Sequence, residues 1–198
     1  MVSFYSFKGG VGRTTTLGCV ASRLAVERKI KTVVVDLDLE APGMGSFLGA
    51  RAEVGVLDHV LSHLATGSVG DVDPEPVEGF PGLSVLPAGR IGASYIEKLA
   101  RLDFLAGATG DRRSPTEEAL RALLEAIASK VAPQVILLDS RTGLHDLGGL
   151  ALHRLSHADF LVARANKQAR EGLRLVLDAL RRLRPKDKRE VRVVQTLV

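Results

Sequence analysis

The residues best suited to chemistry lie in one glycine-rich run near the N-terminus. It consists of Lys8, Gly9, Gly10, Val11, Gly12, Arg13, Thr14 and Thr15. Glycines allow a tight turn whose successive N–H groups point at one anion, and a helix that follows adds the positive potential of its N-terminus. Lys8 and Arg13 place a cation near each end, and the Thr14 hydroxyl suits a magnesium ion that bridges phosphate oxygens. The run therefore predicts a phosphate-binding loop.

Carboxylates follow two buried aliphatic runs further along the chain. The run KTVVVD ends at Asp36 and is followed by Asp38, and the run QVILLD ends at Asp139. In open sheets of parallel strands, ligands bind where the strands end. The loop and the acids are therefore expected to meet in one pocket. A pair of solvated loop acids is the alternative for Asp36 and Asp38.

The rest of the sequence alternates short aliphatic runs with helical patterns, as parallel strands joined by helices require. Strands are predicted at residues 2–7, 31–36, 83–86, 134–139, 159–165 and 191–198. Helices are predicted at residues 14–28, 55–65, 114–130 and 171–183. Ser114-Pro115 is a good helix start, because serine caps and proline fits the first turn. The polar segment 67–81 is the weakest candidate for order.

Length and composition fit one globular domain. The chain has 198 residues, of which 45% are hydrophobic and 25% charged, as is ordinary for a soluble protein. Aromatic residues make up 4% and tryptophan is absent, so the core must be aliphatic. Long runs of valine, leucine and isoleucine favour a parallel sheet covered by helices on both faces.

The charge and the cysteine count restrict partners and compartment. The net charge is +4, and the densest basic stretch contains Arg181, Arg182, Arg184, Lys186, Lys188, Arg189 and Arg192. Such a stretch is either a solvated helix end or a contact for DNA or an anionic membrane. The single Cys19 fits a reducing compartment and is interpreted as a small core residue on the first helix. With no export signal and no apolar run of about 18 residues, a cytoplasmic protein without a membrane span is expected.

The loop KGGVGR resembles the deviant Walker A motif of the ParA/MinD family of P-loop ATPases, whose pattern is KGGxGK followed by serine or threonine. Together with DLDLEAPG from Asp36 and DSRTG from Asp139, it resembles the bacterial KGGVGR branch of that family. The resemblance implies a three-layer α/β P-loop NTPase fold, with a mostly parallel twisted sheet flanked by helices on both faces. It also implies a single domain over residues 1–198 that lacks the family's last C-terminal helices.

The resemblance assigns cofactors and partners as well. It implies that the chain binds ATP or ADP with Mg²⁺ and forms a homodimer that depends on the nucleotide. In that dimer Lys8 would reach the phosphates of the other subunit. Nonspecific DNA or an effector protein is a further possible partner.

Roles for individual residues follow from the same resemblance. Asp38 would position the attacking water and contact the metal, with Asp36 as support. Asp139 would hold the metal or its water, together with Thr14. Gly143 would sense the γ-phosphate, and Asn166 would contact the nucleotide.

Arg13 is the departure from the family pattern, because it replaces the ordinary P-loop lysine. Arginine keeps the charge but presents a planar fork in place of a compact ammonium. The leading hypothesis is a switch that binds ATP and hydrolyses it slowly, with Lys8, Arg13 and Asp38 as catalytic residues. The alternatives are a scaffold that dimerises with nucleotide and does not hydrolyse it, and a DNA-binding regulator.

Overall fold

The computed structural model describes residues 1–102, 114–140, 154–183 and 189–196. The helices are α1 (Arg13–Val26), α2 (Met44–Phe47), α3 (Val56–Thr66), α4 (Ala93–Leu99), α5 (Pro115–Val131) and α6 (Lys167–Leu183). The strands are β1 (Val2–Tyr5), β2 (Thr32–Asp36), β3 (Glu75–Pro76), β4 (Leu83–Leu86), β5 (Val135–Asp139), β6 (Ala158–Arg164) and β7 (Glu190–Thr196). Within these ranges, no helix has the length and apolar character that crossing a membrane requires.

The strands form one sheet in the order β3-β4-β2-β5-β1-β6-β7. Every pair is parallel except β3 with β4. The prediction of a mostly parallel sheet with helices on both faces is confirmed. The prediction that the segment 67–81 is a polar loop was wrong in part, because the segment contains β3, where Glu75 and Pro76 pair with the edge of β4.

Alternate residues of the central strands belong to different hydrophobic clusters. Val33 and Val35 pack in the cluster that contains α3 and α5, whereas Val34 packs in the cluster that contains α1. Successive side chains of a strand point to opposite faces of the sheet. Helix α1 therefore covers one face, and α3 and α5 cover the other.

This alternation sets the direction of the two strand-end carboxylates. Asp36 stands two residues after Val34, and Asp139 stands two residues after Leu137, which packs in the α1 cluster. Strands β2 and β5 pair with Asp36 opposite Asp139. Both carboxylates therefore lie on the face that α1 covers, at the edge of the sheet where α1 begins.

The predicted helices are present with small shifts of their ends. Ser114 caps α5 by accepting a hydrogen bond from the Glu117 N–H at 3.1 Å, as predicted. The interpretation of Cys19 as a core residue was wrong, because its side chain is exposed. On α1 the buried line runs through Leu17, Ala21 and Ala25, and Cys19 is about 200° around the helix from Leu17.

Helix α3 is attached to the end of β4 by backbone contacts. The N–H groups of Val56 and Leu57 donate to the carbonyls of Pro87 and Ala88, both at 2.9 Å. Gly55 lies so close that a Cβ atom there would stand 2.3 Å from the Pro87 oxygen and 2.5 Å from the Gly89 nitrogen. The position therefore admits only glycine, because the backbone leaves no room for a side chain.

We predict that Gly55→Ala destabilises the protein by about 2–3 kcal/mol, since overpacking against backbone cannot be relieved by a rotamer change. Urea unfolding measures the effect. Gly92→Ala is the matched control, because a Cβ atom at Gly92 meets nothing within 4 Å. Equal unfolding midpoints for the two variants would contradict this account.

Candidate phosphate and metal site

The glycine-rich run forms an open turn that leads into α1. Gly10 and Gly12 have φ of 70° and 82°, a conformation that side chains other than hydrogen disfavour. Gly12 is the N-cap of α1, no side chain caps the helix, and its first turn contains no acidic residue. The first N–H groups of the helix therefore keep their positive potential for an anion.

A cleft of about 460 Å³ opens over this turn and is here called the loop cleft. Its lining consists of Ser6, Gly9, Gly10, Gly12, Arg13, Thr14, Thr15, Asp38, Glu40 and Ala41. The predicted loop and the predicted Asp38 thus share one cavity.

Arg13 connects the loop to Asp38 and Asp139, the two carboxylates that were predicted to hold the metal. Its Nε donates to Asp139 Oδ1 at 2.6 Å, and its Nη2 donates to Asp38 Oδ2 at 2.7 Å. All three residues are buried, with 7%, 1% and 7% of their surface exposed in the order Arg13, Asp139, Asp38. Charge-assisted hydrogen bonds of this length are the strong ones, so Arg13 holds the ends of β2 and β5 against the start of α1.

Opposing effects act on the pKa values in this cluster. Burial raises the pKa of Asp139 above its ordinary value, although the Arg13 charge and the bonds from Thr14 and Arg13 oppose the rise. Burial also lowers the pKa of Arg13, but the charges and hydrogen bonds of Asp139 and Asp38 outweigh it and raise that pKa. The guanidinium therefore stays charged, and it offsets part of the cost of burying two acids.

The oxygen atoms around Arg13 fit a magnesium ion. Thr14 Oγ1 donates to Asp139 Oδ2 at 2.8 Å, so a hydroxyl oxygen and a carboxylate oxygen are neighbours. The Asp38 carboxylate is joined to this pair through the Arg13 guanidinium. Mg²⁺ prefers oxygen ligands and keeps several waters, so one or two carboxylates are sufficient when phosphates complete the shell. The donor set therefore suits Mg²⁺ bound together with a phosphate ligand.

Asp36 supports the turn that follows β2. Its Oδ2 accepts the N–H groups of Gly43 and Met44 at 3.2 and 3.0 Å, and its Oδ1 accepts that of Asp38 at 3.1 Å. Burial first, and then the charge of Asp139, raise the pKa of Asp36 to about 7, against the three N–H bonds. Asp36 thus fixes the backbone on both sides of Leu39 and does not line the loop cleft.

The other predicted residues lie at different distances from the cleft. Lys8 is exposed, has no ion pair with any described residue and does not line the cleft. Val11 is buried behind the loop, where its carbonyl accepts the Thr196 hydroxyl at 2.7 Å. Asn166 is exposed, and its Oδ1 accepts the Ala169 N–H at 2.8 Å as a cap for α6. Gly143 lies outside the described residues.

The basic C-terminal stretch is only partly described, since residues 184–188 fall outside the described ranges. Arg189 Nη1 donates to the Ser156 carbonyl at 2.6 Å. Arg192 Nε donates to Glu190 at 2.6 Å on the exposed edge of β7. Both side chains thus have intramolecular partners.

Two residues that the sequence did not single out also shape the site. Ser6 lines the loop cleft, and its buried Oγ has no hydrogen-bond partner among the described residues. The Tyr95 hydroxyl, carried by α4, donates to the Leu39 carbonyl at 2.7 Å and so holds the residue after Asp38. Ser6 could have been predicted to line the site from its position two residues before Lys8, whereas nothing in the sequence pointed to Tyr95.

We predict that Asp36→Asn lowers the free energy of unfolding by about 1–3 kcal/mol, because an amide nitrogen would replace an oxygen that accepts buried N–H groups. Chemical denaturation measures the change. Asp71→Asn is the control, since that side chain is 86% exposed and surface ion pairs contribute little. A loss no larger than that of the control would show that Asp36 does not hold the turn.

The comparisons with known proteins give matches in structure only, since no protein-family profile and no characterised protein sequence matches the chain. Cobyrinic acid a,c-diamide synthase from Mycobacterium smegmatis, solved with an ATP analog and magnesium, has a TM-score of 0.70 at 22% identity, over 99% of this chain and 74% of that one. A ParA family ATPase from Chlorobium tepidum TLS has a TM-score of 0.71 at 16% identity, over 98% and 72%.

A third match is the septum site-determining protein MinD from Pyrococcus horikoshii OT3, solved with Mg-ADP. Its TM-score is 0.64 at 20% identity, over 90% of this chain and 64% of that one. The present chain thus spans less than two thirds of the MinD chain. At these identities the likeness is one of fold, and the chain has the fold of the ParA/MinD-type P-loop ATPases, as its loop motif predicts.

Proposed function

We propose that this chain is a magnesium-dependent switch that binds ATP, dimerises around it and hydrolyses it slowly. The observation that carries the proposal is the loop cleft, which is lined by the uncapped N-terminus of α1 and by Asp38. Arg13 in this cleft binds both Asp38 and Asp139. Solved proteins of the same fold support it, since one was crystallised with an ATP analog and magnesium and another with Mg-ADP.

The loop would bind the phosphates through its backbone. The turn between Gly9 and Thr15 offers N–H groups with glycines at both positive-φ positions, and the N-terminus of α1 adds its potential. Arg13 stands at the start of α1 and would turn its fork toward phosphate oxygens, which it can bind in a bidentate manner. The loop cleft of about 460 Å³ leaves room for a triphosphate chain.

Thr14, Asp139 and Asp38 would hold the metal side of the nucleotide. When bound, Mg²⁺ neutralises charge on the phosphates during transfer of the γ-phosphoryl group. Thr14 and Asp139 already share a hydrogen bond, so their oxygens lie together. Asp38 lines the cleft and would orient a water in line with the γ-phosphorus, while Tyr95 and Asp36 keep the backbone on either side of it in place.

The exposed position of Lys8 is the observation that supports the proposed dimer. Its side chain lies outside the loop cleft and has no ion-pair partner among the described residues. A lysine so placed next to a phosphate loop is free to reach the γ-phosphate held by a second copy. Two chains would then enclose two nucleotides, and the γ-phosphate would report whether ATP or ADP is bound.

A non-hydrolysing scaffold is the second candidate, and one observation favours it. Arg13 binds both Asp38 and Asp139, so the acid that would position water is engaged by a cation. If the pair with Asp38 persists when ATP binds, the nucleotide would hold the dimer together without turnover. The two candidates differ in phosphate release and agree on nucleotide binding.

We predict that Asp38→Asn reduces the rate of phosphate release from ATP by about 100-fold or more, the usual contribution of a residue that orients or activates the nucleophile. Affinity for the nucleotide should change much less, because the backbone of the loop is retained. A coupled phosphate assay measures the rate.

Asp73→Asn is the control for this experiment, since Asp73 is 80% exposed and far from the loop in sequence. Equal release from Asp38→Asn and wild type would remove Asp38 from the mechanism. If all three proteins bind ATP and none of them releases phosphate, the scaffold is established and the ATPase is excluded.

We predict that Lys8→Ala weakens dimerisation in a non-hydrolysable ATP analogue by about 10–100-fold, the range for losing one charge-assisted hydrogen bond. Light scattering coupled to gel filtration measures mass with the analogue, with ADP and without nucleotide. Arg28→Ala, which removes an exposed cation just beyond the other end of α1, should dimerise like wild type. Wild type that stays monomeric with the analogue would overturn the dimer.

A further inference from the structure

The Arg13 guanidinium occupies the space between the oxygen atoms that a metal would need. It binds Asp139 Oδ1 through Nε and Asp38 Oδ2 through Nη2, while Asp139 Oδ2 accepts the Thr14 hydroxyl. The hydroxyl and both carboxylates thus have partners within the protein. Arg13 is 7% exposed, so water has little part in balancing the two acids.

The third nitrogen of the guanidinium, Nη1, differs from the other two. Arg13 Nη1 is buried and has no hydrogen-bond partner among the described residues. Nearly all buried donors in proteins are paired, so an unpaired donor on a charged group marks an arrangement that another ligand can improve. Arg13 itself lines the loop cleft, and phosphate oxygens there would offer the acceptors that Nη1 lacks.

We propose that Arg13 is a displaceable counter-ion that closes the metal position in the nucleotide-free protein, so that a divalent cation enters only when a triphosphate draws the guanidinium away. The inference rests on the proposed nucleotide site and goes beyond it. It assigns to the nucleotide-free protein a definite arrangement, with Arg13 between the two carboxylates, that excludes the metal.

The arginine fork is essential to this device. Asp38 and Asp139 approach the guanidinium through two different nitrogens, and a planar fork can serve both carboxylates at once. A lysine ammonium is a single, strongly hydrated point of charge on a flexible stem. Replacing Arg13 by lysine therefore keeps the charge but weakens the bridge, which leaves one carboxylate more accessible to a cation.

Without nucleotide, the Arg13 guanidinium and a divalent cation need the same carboxylate oxygens and therefore exclude each other. Once phosphates hold the guanidinium, the exclusion ends and both cations are accommodated. Nucleotide and metal then favour each other's binding, and by linkage each raises the affinity of the other by the same factor. The protein would thus distinguish the metal complex of the nucleotide from the free ion.

The experiment measures Mn²⁺ binding to the nucleotide-free full chain by electron paramagnetic resonance, with wild type, Arg13→Lys and Arg13→Met. We expect binding to Arg13→Lys to be at least about tenfold tighter than to wild type, and to Arg13→Met tighter still, because losing a charge-assisted partner frees carboxylate oxygens. Arg28→Lys should match wild type. Equal Mn²⁺ affinity of wild type and Arg13→Lys would overturn the proposal.

A second readout covers the case in which Arg13→Met fails to fold with two unpaired acids. Mn²⁺ alone should raise the melting temperature of Arg13→Lys and leave that of wild type unchanged. Tight Mn²⁺ binding at the site of nucleotide-free wild type would overturn the inference without any variant. If wild type binds no nucleotide even with Mg²⁺, the proposed function fails, whereas normal nucleotide binding with unchanged Mn²⁺ affinities removes only the counter-ion role.

Discussion

One buried ion pair network holds the site of this protein together. The guanidinium of Arg13 joins the start of α1 to Asp38 after β2 and to Asp139 at the end of β5. Three segments that are far apart in sequence thus meet at one charged group. Breaking such a network by removing one partner leaves buried charge without compensation, which is more costly than never having made it. The position of the loop relative to the sheet depends on this balance.

Much of the architecture follows from the sequence, because strong patterns act locally. Aliphatic runs of four or five residues give the buried parallel strands, and glycines at positions 10 and 12 give the positive φ values of the loop. The face of the sheet toward which Asp36 and Asp139 point could not be predicted from such local patterns. It depends on the register that sets Asp36 opposite Asp139, which two distant strands decide together.

The wrong predictions have different origins. Strand β3 exists because Glu75 and Pro76 meet the free edge of β4, and no local pattern in a polar, proline-rich segment predicts that contact. Cys19 is apolar enough for the core, but helix geometry places it away from the line of Leu17 and Ala21. The pairing of Arg13 with both carboxylates was not predicted, because it joins segments that are distant in sequence; the prediction that Arg13 binds phosphate is unaffected.

The central claim is that the glycine-rich turn binds a triphosphate, and equilibrium dialysis with labelled ATP and Mg²⁺ tests it most directly. The account predicts one nucleotide retained per chain, and loss of retention in Gly12→Val, where a branched side chain would be forced into the left-handed conformation of φ 82°. Wild-type protein that retains no more nucleotide than Gly12→Val would contradict the account.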